Sequence, residues 1–128
     1  MNRALRYILA GFFFGLGLCK AVYAHHSFAM FDADNPIELT GSIVEWQYSN
    51  PHTFIILEVT DENGNSTEWT LEGRSPSAIF RLGWTPESLQ PGDKVMLTVS
   101  PLHSGEPGGS YSNVRWEDGT VIDPRAGR

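Results

Sequence analysis

Residues 37–48 read IELTGSIVEWQY, an alternating run that changes parity half-way along. Ile37, Leu39, Gly41 and Ile43 share one face, with Glu38, Thr40 and Ser42 on the other, as in a half-buried strand. From Val44 onward the bulk falls on Val44, Trp46 and Tyr48. A bulge or bend near residues 41–45 reconciles the two halves, and a strand bent in this way serves two sheets at once.

The rest of the chain follows the same period. Residues 54–59 place Ile55, Leu57 and Val59 on one face, Asn63-Gly64 marks a tight hairpin, and residues 67–71 place Thr67, Trp69 and Leu71 together. Residues 75–83 read as a short helix, with Ser75 to cap it, Pro76 at its first position and Gly83 at its end. Pro91-Gly92-Asp93 turns into a fourth strand, residues 94–100, with Val95, Leu97 and Val99 on one face. A Gly-rich stretch, 104–110, reads as a loop before a last strand at 111–116 and a short piece at 120–122. Three strands, a helix and two strands make the order of a five-stranded Greek-key barrel of OB type. A small β-sandwich is the alternative, but it ordinarily needs about seven strands.

The N-terminus reads as an export signal. Arg3 and Arg6 precede an apolar run at 7–18, and Val22-Tyr23-Ala24 fits a signal-peptidase site. The run is shorter than the roughly 20 apolar residues that a spanning helix needs, so no stable membrane anchor is expected after cleavage. The expected organisation is a signal peptide at 1–24, one domain at 25–122 and a flexible tail at 123–128; a cut after Ala21 is the alternative. Such a domain is periplasmic or secreted. The only cysteine, Cys19, leaves with the signal, so neither a disulfide nor thiol chemistry is expected. Arg3, Arg6 and Lys20 leave too, which takes the formal charge from −6 to −9. The six remaining cations are scattered, so no nucleic-acid partner is expected.

Several motifs in a fixed order carry a resemblance. The start AHHSFAMFD, the later Asn50-Pro51-His52-Thr53-Phe54, the segment EGRSPSAIFRLGW and the strand entry PGDKV together resemble a family of small exported bacterial proteins, the domain of unknown function 6152. The resemblance runs over nearly the whole chain after the signal. It implies an exported domain of this size and no particular activity.

Cleavage after Ala24 would expose His25 as the first residue. A free amine beside an imidazole on one residue closes a chelate around a metal ion once both are deprotonated. Copper(II) favours such nitrogen donors and stands at the top of the divalent affinity series, so copper or another late transition metal is the expected cofactor. The terminus, and only the terminus, resembles the histidine brace of copper monooxygenases and of some periplasmic copper carriers. His26 is the adjacent donor, and His52 and His103 fall in the loops joining strands one to two and four to five, which flank the ligand face of an OB barrel. Met30 is either a soft donor for copper(I) or packs with Phe28 and Phe31 on the barrel.

The competing class is a metal-free binding or interaction module for a small molecule or a protein, using the loop end and an aromatic face of Trp46, Tyr48 and Tyr111. Trp69 and Phe80 read as core. Catalysis has little support: no thiol, no Gly-x-Ser-x-Gly, no phosphate loop and no His-Glu-x-x-His is present, and Glu68 and Glu72 read as solvated carboxylates.

Overall fold

A computed structural model describes residues 28–122. The expected signal peptide with its apolar run, His25, His26 and the expected tail at 123–128 lie outside the described residues. Six strands and one helix follow in order: β1 (Ile37–Gln47), β2 (Phe54–Thr60), β3 (Ser66–Glu72), α1 (Pro76–Phe80), β4 (Lys94–Pro101), β5 (Gly108–Trp116) and β6 (Val121–Ile122). Hydrogen bonding orders them β3-β2-β1-β4-β5-β6, and a further β3–β5 pairing closes the first five into a barrel. This is the OB-type closure, with β6 added at the β5 edge. Among the described residues, no helix is long and apolar enough to cross a membrane.

The parity change in β1 is a bulge. Ile43 faces Leu57 and Glu45 faces Ile56, so Val44 has no partner on β2 and turns outward, 40% exposed. Trp46 is thereby returned to the inner face opposite Ile55. The first half of β1 pairs with β4 and the second only with β2, so one bent strand connects both sides of the barrel.

The interior is filled by the alternating residues of the strands. Ile55, Leu57, Leu71, Leu97, Val99 and Val114 are fully buried, and each inward aliphatic contributes roughly 1.5–3 kcal/mol by leaving water. The helix connection plugs one end with Ile79, Trp84 and Leu89. The Trp84 ring packs tilted at 5.5 Å from Trp46 and 6.2 Å from Trp116, and its buried Nε1 has no hydrogen-bond partner among the described residues.

Four local readings differ from the structure. The helix has five residues; Ser75 stands at its N-cap with Pro76 next, but the Ser75 hydroxyl meets the Ser77 hydroxyl and caps no backbone amide. Phe80 is 65% exposed, because Ile79 takes the inward position and the next residue rotates about 100° around the helix. Trp69 is only partly buried at the core margin. The Gly-rich stretch is partly strand: Gly108, Gly109 and Ser110 pair in parallel with Thr70, Leu71 and Glu72, and this pairing closes the barrel.

Candidate functional site

The chain enters the described structure as a strap across the loop between β4 and β5. Phe31 forms an antiparallel bridge with Leu102, the His103 amide donates to the Met30 carbonyl at 3.0 Å, and the Asp32 amide donates to the Pro101 carbonyl at 2.8 Å. Phe31 is buried, whereas Phe28 and Met30 are exposed, so Phe31 alone of the three packs on the barrel. Asp32 then begins a turn closed by Asn35. The Asn35 side chain lowers the Asp32 pKa most, with the Asn35 amide and the nearby His103 acting in the same direction.

The loop between β1 and β2 carries His52 after a cis Asn50–Pro51 peptide. Thr53 is buried and anchors the loop: its amide and hydroxyl donate to the Arg74 carbonyl, and its carbonyl accepts from the Gly73 amide. His52 is held through Nδ1 by the Glu72 carboxylate. Glu72 is therefore the partner of His52 rather than a solvated strand carboxylate. Its register position directly opposite Phe54, two residues from His52, is the signal that sequence reasoning passed over.

A cleft of about 270 Å³ lies between these parts, lined by Met30, Phe54, Glu72, Leu102 and Glu106 among others. Neither histidine lines it: half-buried His52 reaches only its wall residue Glu72, and exposed His103 follows the wall residue Leu102. Of the two loops, only the one between β4 and β5 supplies lining residues, and the structure does not bring the two histidines together in the cleft. Among the described residues, no three His, Cys, Asp or Glu side chains are grouped so as to hold a metal ion. A complete nitrogen set would have to draw on donors from residues 25 and 26.

The three aromatic candidates do not form a free face. Tyr111 is 2% exposed, with its hydroxyl 2.8 Å from that of Thr53, and burial raises its pKa; it is a core residue and is not available to a ligand. Trp46 donates to the Thr85 carbonyl, and Tyr48 shares its hydroxyl between the Pro76 and Trp84 carbonyls. Both are half-buried and hold the helix connection onto the barrel end.

Comparison with curated proteins and with solved structures finds no match. Residues 16–112, three quarters of the chain, match the family of unknown function DUF6152, and the chain belongs to that family.

Proposed function

We propose that this is an exported domain that binds copper(II), or another late transition metal, at a mature N-terminus beginning with His25. The observation that supports this reading is the strap. Met30 and Phe31 pair with His103 and Leu102, and His25 precedes Met30 by only five residues, a reach of up to about 17 Å. The terminal amine and imidazole of His25, with His26 beside them and the His103 ring at the end of that reach, make a nitrogen-rich set suited to copper(II). Asp32, close to His103, keeps a negative charge near the bound cation. His52 is the reserve donor, since Glu72 engages its Nδ1 and leaves Nε2 as the ring's remaining donor, the way carboxylates orient metal-binding imidazoles.

The test is electron paramagnetic resonance of the copper(II)-loaded chain beginning at His25. The expected result is an equatorial nitrogen set that loses one imidazole in His103→Ala and keeps it in His52→Ala. Identical spectra for the parent and His103→Ala would remove His103 from the site, and an all-oxygen set in the parent would overturn the reading.

A further inference from the structure

A second cleft, about 430 Å³, lies on the outer face of β2, β1, β4 and β5 and shares no residue with the first. Its volume is that of an ordinary small-ligand site. Glu58, Ser42 and Lys94 form one cross-strand row on β2, β1 and β4. Arg115 lies on β5 opposite Met96, and Glu117 follows the end of that strand. Gly41 forms part of the floor, where a Cβ would run into the Glu58 carbonyl.

The charges in this cleft are unused. Glu58, Lys94, Arg115 and Glu117 are all exposed, and none of their side chains makes an ion pair or hydrogen bond with another described residue. Residues 28–122 contain four Lys and Arg, so half of the described cations of an acidic domain converge here. A simple anion would meet Glu58 and Glu117, and a simple cation would meet Lys94 and Arg115. A zwitterion satisfies both signs.

The spacing selects its length. Glu58 and Lys94 stand two strands apart, about 10 Å between backbones. A ligand with its charges about that far apart meets both side chains without either bending toward the other, and an extended chain, which advances about 3.3–3.6 Å per residue, reaches that length in two or three residues. We propose that this cleft binds a short free peptide of two or three residues. Its carboxylate lies between Lys94 and Arg115 and its ammonium at Glu58, with the Thr40 and Ser42 hydroxyls facing its backbone.

Trp116 lines the cleft and packs against Trp84, so occupancy changes tryptophan emission. The experiment titrates trialanine into the exported domain in the presence of a chelator, which separates this site from any metal at the terminus. Saturable binding is expected, weakened about tenfold by N-acetylation, by C-amidation, by Lys94→Ala and by Glu58→Gln, each loss corresponding to one charge-assisted contact. Thermal melts of both variants near that of the parent establish that they fold. Absence of saturation by about 10 mM, or equal binding of the free and end-blocked peptides, overturns the proposal.

Discussion

Gly109 has no room for a side chain. A Cβ there would lie 2.5 Å from Val99 Cγ1 and 2.6 Å from the Ser100 carbonyl oxygen, closer than packed atoms tolerate. Both neighbours belong to β4, so the missing Cβ is what lets β5 lie close against β4, at the strand end that also pairs with Leu71 across the parallel closure. Gly109→Ala is expected to cost about 1–3 kcal/mol in urea denaturation, the ordinary cost of overpacking; an unchanged midpoint would mean that the β4–β5 contact relaxes without loss. The stretch reads as a loop in the sequence because glycine serves both turns and close backbone approach, and nothing local distinguishes the two. Tyr111 misleads for a related reason: its position beside the glycines suggests a loop-edge aromatic, but those glycines are strand and carry it inside. Glu72 was equally hidden, because its partner His52 is distant along the chain and only strand register brings them together.

At the scale of elements, legibility follows periodicity. The bend in β1 is visible because its inner and outer rows exchange places around one extra residue, and the structure places that residue at Val44. The helix is visible from Ser75, Pro76 and Gly83, whereas its inward face is not, because five residues are too few to establish a 3.6-residue period. The β2–β3 hairpin is built around Asp61. Its carboxylate accepts from the Asn65 side chain and from the Asn63 and Asn65 amides, and these bonds, led by the Asn65 side chain, lower its pKa. A lowered folded-state pKa means that this stabilisation is full above the ordinary aspartate range and is lost as pH falls through the lowered value. Asp61→Ala is therefore expected to lower the Tm near neutral pH, with the gap to the parent closing as the solution is acidified. A gap independent of pH would show that the turn gains nothing from the carboxylate charge.

For the whole molecule, the barrel brings three separated stretches to one end: the strap at 28–32, the loop bearing His52 and the loop bearing His103. That both loops lie at this end follows from strand order, which the sequence makes legible. The strap does not, because its pairing with Leu102 and His103 is a short bridge with no period of its own. The proposed metal chemistry depends on the point of cleavage, since only a chain beginning at His25 has amine and imidazole on one residue. The decisive measurement is a chelator-competition titration of copper(II) into two chains, one beginning at His25 and one at Val22. Binding at least about tenfold tighter by the chain beginning at His25 is the predicted result; equal affinity, or no binding by either, would contradict it.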